Sequence, residues 1–111
     1  MGLDSADYLL GSLDHIKKEL RLKFKRLTPK EMAVFSSVYL TEQILGYTNY
    51  KIIADKLGLT ESSIRDYVRR LILKGIPLEK EKLNNKEILI RVSSNLRKIT
   101  TLETIQKIRD L

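Results

Sequence analysis

Between Glu61 and Arg69 the chain places Glu61, Ser62, Arg65, Asp66 and Arg69 where a helix would show them on one side, with Ile64, Val68, Leu71 and Ile72 on the other. An arginine fork can pair with both major-groove acceptors of a guanine, and a serine is short enough to allow close approach to a base. Ser62, Arg65, Asp66 and Arg69 are therefore candidates for contacts to base edges, Arg65 foremost. Thr60 and Ser63, with the free amides of a helix start, suit a phosphate, as do Asn49, Tyr50 and Lys51 at an earlier helix start and Arg70 farther along. Four more cations, Lys80, Lys82, Lys86 and Arg91, follow in a segment of strand character and are candidates for minor-groove or flanking backbone contacts. Glu79, Glu81 and Glu87 interleave with them, so a merely soluble charged hairpin is the competing reading. Likewise Asp66 and Glu61 can pair with Arg65, Arg69 or Arg70 along the helix instead of facing a ligand.

The elements that must position these groups are legible from caps and periodicity. Thr28-Pro29-Lys30-Glu31 supplies an N-cap threonine, a proline at the first helical position and a glutamate at the third, and it opens a helix with Met32, Phe35, Val38 and Tyr39 inward and Gly46 at its close. Thr48 or Asn49 caps a shorter helix, Tyr50 to Leu57, ended by Gly58; Ile53, Ala54 and Leu57 face inward. Thr60 then caps a helix from Glu61 to Lys74, ended by Gly75 and blocked from resuming by Pro77. Ile76, Leu78 and Glu79 to Leu83, an Asn84-Asn85 turn, and Glu87 to Val92 read as a β-hairpin, with Ile88, Ile90 and Val92 alternating against Leu89 and Arg91. A last amphipathic helix carries Leu102, Ile105, Ile108 and Leu111, capped by Thr100 with Glu103.

Ahead of all this, Leu9, Leu13, Ile16, Leu20, Phe24 and Leu27 form one apolar stripe on a helix weakened near its start by Gly11. The stripe suits docking onto the following domain or pairing between two subunits. Its basic end, Lys17 to Arg26, suits phosphates or another anionic surface.

Two helices joined by a short turn containing glycine, with Ala54 at their crossing, Gly58 in the turn, Leu59 after it and Ile64 inside the second helix, make a helix-turn-helix. Leu27 to Glu31 together with the run from Asn49 to Arg70 resembles the DNA-binding domains of LuxR-type regulators. The hairpin after Gly75 is similar instead to the wing of winged-helix proteins, MarR-type repressors among them. The resemblance covers roughly residues 27 to 92. It implies a mainly α fold with a small β-hairpin, a winged helix-turn-helix of residues 28 to 92 flanked by an N-terminal helix (1 to 27) and a C-terminal helix (93 to 111).

Composition fits that expectation and narrows it. The net charge of +7 over 111 residues favours a polyanionic partner, and it is spread along the chain, so a footprint on DNA has to be assembled by folding. With no cysteine and a lone His15, neither a thiolate nor a histidine-rich metal site is available, and no cofactor is expected. No carboxylate pair or phosphate-cradling glycine loop argues for catalysis, so an enzyme is not expected. No stretch reaches the ~18 apolar residues of a membrane span, and no export signal is read, so a cytoplasmic, nucleoid-associated protein is expected. Tyr39, Tyr47, Tyr50 and Tyr67 are read as core rather than as the lining of a small-molecule effector site. The leading expectation is a homodimer that binds double-stranded DNA sequence-specifically, as a transcriptional regulator or in replication or segregation. The alternatives are the DNA-targeting domain of a larger enzyme, such as a restriction endonuclease, and a winged helix used for protein contacts.

Overall fold

The computed structural model describes residues 2–84 and 86–110, with side chains from Asp14 onward. The stripe positions Leu9 and Leu13, the turn residue Asn85 and Leu111 lie outside the described residues or side chains. The order of elements is α1 (Gly2–Lys25), α2 (Pro29–Leu45), α3 (Tyr50–Leu57), α4 (Glu61–Leu73), β1 (Leu78–Lys82), β2 (Ile88–Val92), α5 (Ser94–Ile99) and α6 (Leu102–Asp110).

The local signals act as their chemistry requires. Thr28 Oγ1 accepts from the Glu31 N–H at 3.1 Å while Glu31 Oε1 accepts from the Thr28 N–H at 2.9 Å, a reciprocal cap that satisfies two otherwise orphan donors. Asn49, rather than Thr48, caps α3 through its Oδ1, which accepts from the Ile52 N–H at 2.9 Å. Gly58, at φ +66°, takes the left-handed turn, and the Leu59 N–H reaches back to the Ala54 carbonyl at 3.0 Å. This turn fixes α4 across α3, which is the geometry any recognition helix needs.

One core joins all layers. Phe35, Val38, Ile53, Ile64, Val68, Leu71 and Ile90 are completely or almost completely shielded from solvent, and Phe24 of α1 meets Phe35 edge to face with centroids 4.9 Å apart. Phe24 and Leu27 are buried and Leu20 packs against the core, so the apolar stripe docks by its C-terminal end, whereas Ile16 is exposed.

Four local expectations are corrected, the first being Tyr47, which lies in the turn between α2 and α3 and is 47% exposed rather than in the core. Ile72 is 37% exposed: the inner face of α4 is the single stripe Ile64, Val68 and Leu71, and Ile72 lies about 100° around the helix from Leu71. Leu89 is buried rather than outward, because β2 is the central rather than the edge segment: Thr48 and Asn49 run along its free side, with the Ile90 N–H donating to the Thr48 carbonyl at 3.0 Å. The C-terminal region is two helices, α5 and α6, not one. Thr100 is the extended C-cap of α5, so the cap of α6 moves on by one residue: Thr101 Oγ1 accepts from the Thr104 N–H at 3.2 Å, and Glu103 pairs with Lys107 at 3.3 Å instead.

Candidate nucleic-acid interface

The exposed side of α4 faces the hairpin across an open cleft of about 620 Å³ whose lining includes Tyr50, Ser62, Arg65, Asp66, Arg69 and Lys80. Three of these come from the first two turns of α4, one from its third, one from the start of α3 and one from β1. Four residues expected at base edges, Ser62, Arg65, Asp66 and Arg69, are thus brought together.

Their electrostatic states differ. Arg65 has no carboxylate partner among the described residues; its guanidinium lies over the ring of Tyr50, 5.2 Å from the centroid. Tyr50 is only 5% exposed and immobilised at the first turn of α3, so the ring acts as a fixed platform. A cation–π contact of this kind favours keeping the guanidinium over the ring without using up its N–H donors. Arg69 and Arg70 both donate to Asp66, at 2.8 Å and 2.6 Å, and Arg70 also lies over Tyr67 at 5.4 Å. The hydrogen bond from Arg69, with the nearby positive charge of Arg70, holds the Asp66 carboxyl below its usual range, so it stays ionised.

At the head of α4 the Thr60 Oγ1 accepts from the Ser63 N–H at 3.1 Å and donates to Ser63 Oγ at 2.9 Å. Both hydroxyls are turned toward one another in the cap, beside the exposed Ser62. Asn49 is more fully engaged: its Oδ1 caps α3 and its Nδ2 donates to Glu87 at 3.2 Å, tying the start of α3 to the wing. Its side chain is therefore a fastener between elements. Lys51 stays exposed and shares a second depression, of about 370 Å³, with Tyr50, Glu61, Arg65 and Lys86.

The register of the hairpin divides the wing cations. Lys80 lies opposite Ile90 and Lys82 opposite Ile88, whereas Glu79 lies opposite Arg91 and Glu81 opposite Leu89. Directly paired residues share a face, so Lys80 and Lys82 stand on one side of the wing and Arg91 on the other. Arg91 is bonded to Glu81 there. The four wing cations do not converge on one surface.

Three positioning groups carry no sequence signal of their own. Lys74 Nζ donates to the buried Glu31 at 2.5 Å and to the Arg26 carbonyl at 3.3 Å, clamping the end of α4 to the start of α2. Burial alone would raise the Glu31 pKa, but hydrogen bonds from Lys74 and the Thr28 N–H overcome it and hold the carboxyl below its usual range. Arg97 of α5 lies 4.0 Å over the Tyr39 ring, donating to Glu42 at 2.8 Å and to the Tyr39 carbonyl at 3.1 Å. Glu42 in turn accepts from the Val92 N–H at 2.9 Å, so α5, α2 and the wing meet at one ion pair. Arg109 of α6 donates to the Leu27 carbonyl at 2.8 Å. Only Glu31, as the third residue of a capping box, could have been singled out from local sequence.

No protein-family model and no curated protein matches the chain. Solved structures do. The chain is similar to the YusO protein from Bacillus subtilis, with a TM-score of 0.56 and 14% identity over 99% of this chain and 79% of the other. It is similar to MarR from E. coli in its oxidised form, with a TM-score of 0.56 and 16% identity over 94% and 73%. A protein described as a transcriptional regulator from Pseudomonas aeruginosa gives 0.51 and 17% over 98% and 73%. At these identities the likeness establishes the fold: α2, α3, α4 and the hairpin form a winged helix-turn-helix, with α1 before it and α5 and α6 after it. Among the described residues no group of acidic or histidine side chains could hold a metal, and no helix is long and apolar enough to cross a membrane.

Proposed function

We propose that the chain binds double-stranded DNA sequence-specifically, inserting α4 into the major groove and laying Lys80, Lys82 and Lys86 of the wing along flanking backbone. The observation that carries this reading is Arg65, which forms no ion pair among the described residues and lies over the buried Tyr50 in the lining of the cleft between α4 and the wing. An exposed guanidinium not engaged by an ion pair suits the paired acceptors of guanine, worth ~1 to 3 kcal/mol of discrimination. Ser62 and Arg69 flank it for further base contacts, while Lys51, Arg70 and the capped start of α4 with Thr60 and Ser63 take phosphates. Asn49 and Arg91 hold the scaffold. The role is that of a transcriptional regulator, a reading supported by the described function of the Pseudomonas aeruginosa neighbour.

Two copies paired through α1 would present two such helices, and the exposed Ile16 and Leu22, beside the groove between α1 and α6 that Leu20 and Ile108 help line, favour that arrangement. A two-fold dimer reads half-sites about 34 Å apart, one turn of DNA. The test is binding of the purified chain to random-sequence duplex at low and moderate salt, beside Arg65→Ala/Arg69→Ala. Tight, salt-sensitive binding that the double variant loses supports the reading. Failure of the unaltered chain to bind any duplex at low salt rules it out and directs the search to acidic protein partners.

A further inference from the structure

The three arginines on the exposed side of α4 are held in two unlike ways. Arg65 lies over the Tyr50 ring and forms no ion pair among the described residues, whereas Arg69 and Arg70 converge on the two oxygens of Asp66 at 2.8 Å and 2.6 Å, Arg70 lying over Tyr67 as well. Asp66 lines the same cleft as Arg65, so it adds a negative charge where phosphates would approach. We infer that Asp66 is a specificity-determining residue: by keeping Arg69 and Arg70 paired within α4 it weakens binding to DNA of arbitrary sequence, so that stable binding requires the base contact made by Arg65. This rests on the DNA-binding reading given above.

The physical case turns on which DNA contacts are indifferent to sequence. Affinity for arbitrary duplex comes almost wholly from cations that neutralise phosphates, each releasing counterions and adding about 0.9 to the salt slope. A carboxylate shared by two arginines removes part of that contribution without touching a base-reading arginine that has no carboxylate. The pairs are open to solvent, with side-chain exposures of 69% for Arg69, 53% for Arg70 and 38% for Asp66. Exposed pairs of this kind are weak and exchange readily, so a matched site can still draw Arg69 or Arg70 away. The suppression is therefore graded, not absolute. Low local pKa reinforces it, because Asp66 remains charged across neutral pH.

The experiment uses the full chain and three variants, Asp66→Asn, Asp66→Glu and Asp66→Asn/Arg69→Ala/Arg70→Ala. Each is titrated by fluorescence anisotropy with random duplex and with a duplex selected from a random pool by the unaltered chain, across a salt series. Thermal melts confirm folding, which an exposed substitution on the outer face of α4 leaves intact. Asp66→Asn is expected to bind random duplex about 5- to 10-fold tighter with a salt slope steeper by about one to two, the effect of releasing Arg70 and, where no matched base is offered to it, Arg69 onto phosphates. It gains less on the selected duplex, so the ratio of the two affinities falls, and Asp66→Glu keeps the original ratio. The triple variant, lacking the arginines, shows no gain on random duplex over the unaltered chain. Unchanged random-duplex affinity in Asp66→Asn overturns the inference, as does a gain that persists in the triple variant. A loss confined to the selected duplex also overturns it, and makes Asp66 a reader of bases. Absence of any binding by the unaltered chain is a separate result, which removes the DNA-binding reading itself.

Discussion

Three arginines among the described residues lie over tyrosine rings, Arg65, Arg70 and Arg97, and the first and last of them have opposite fates. Arg97 sits 4.0 Å above Tyr39, pairs with Glu42 and donates to a backbone carbonyl, with a quarter of its side chain exposed. Arg65 sits 5.2 Å from the centroid of Tyr50, stays exposed and forms no ion pair among the described residues. The ring is common to both, and the ion pair distinguishes them: Arg97, paired with the partly buried Glu42, is a joint between α5, α2 and β2, whereas Arg65 is left exposed with no ion pair among the described residues. A basic protein is thus not uniformly sticky. Its positive charge divides into cations that hold the fold and cations that are left for a partner.

Removing each arginine should separate the two roles. Arg97→Ala is expected to cost about 2 to 3 kcal/mol, because it strips the partly buried Glu42 of one partner and bares the Tyr39 face. For a domain of this size that lowers the melting midpoint by roughly 10 to 20 °C, read by circular dichroism. The same measurement on Arg65→Ala is expected to stay within about 0.5 kcal/mol of the unaltered chain. Equal destabilisation by the two substitutions would break the comparison.

Duplex affinity should reverse that ranking. Arg65→Ala is expected to lose about 1 to 3 kcal/mol on a selected duplex, about 5- to 150-fold in Kd, whereas Arg97→Ala measured well below its melting point loses little. Arg65→Lys should recover only part of the loss, since an ammonium cannot make the planar two-point contact.

Acid provides a third comparison, between buried and exposed carboxylates. The Glu31 pKa is lowered in the fold, so its contribution is present above the usual carboxylate range and is lost as pH falls through the folded value. Denaturant midpoints should therefore fall on acidification, and Glu31→Gln should flatten that fall as well as lower stability at neutral pH. Asp66 shifts in the same direction but is exposed, so Asp66→Asn should leave the acid profile nearly unchanged. The smallest expected effect separates the two faces of the wing. Lys80→Ala should reduce the salt slope of duplex binding by about one, and Arg91→Ala should leave it unaltered.

What could be read from the sequence was whatever is settled within a few residues. Thr28 with Glu31, Thr60 with Ser63 and the left-handed Gly58 all act locally, and they place α2, α3 and α4 almost to the residue. Ser62, Arg65 and Arg69 gather in the cleft because helical periodicity alone puts them there. Asn49 is different: its competing partner, Glu87, is 38 residues away, and nothing local shows that its amide is already engaged. The separation of Arg91 from Lys80 depends on hairpin register, which alternation within one strand does not specify. The Glu42 joint with Arg97 brings together residues 55 apart, so it emerges only from packing. The break between α5 and α6 was missed for a subtler reason. Thr100 and Thr101 are both fit to cap a helix; Thr100 closes α5, its N–H bonded to the Leu96 carbonyl, and Thr101 Oγ1 caps α6 by accepting from the Thr104 N–H.

The most direct test is a backbone amide chemical-shift map of the isotope-labelled chain titrated with duplex DNA. The account expects the largest changes along Glu61 to Arg70, at Tyr50 and Lys51 and at Lys80, Lys82 and Lys86, with α6 little affected. Changes centred on α1 and α6, with α4 and the wing unmoved, would contradict it.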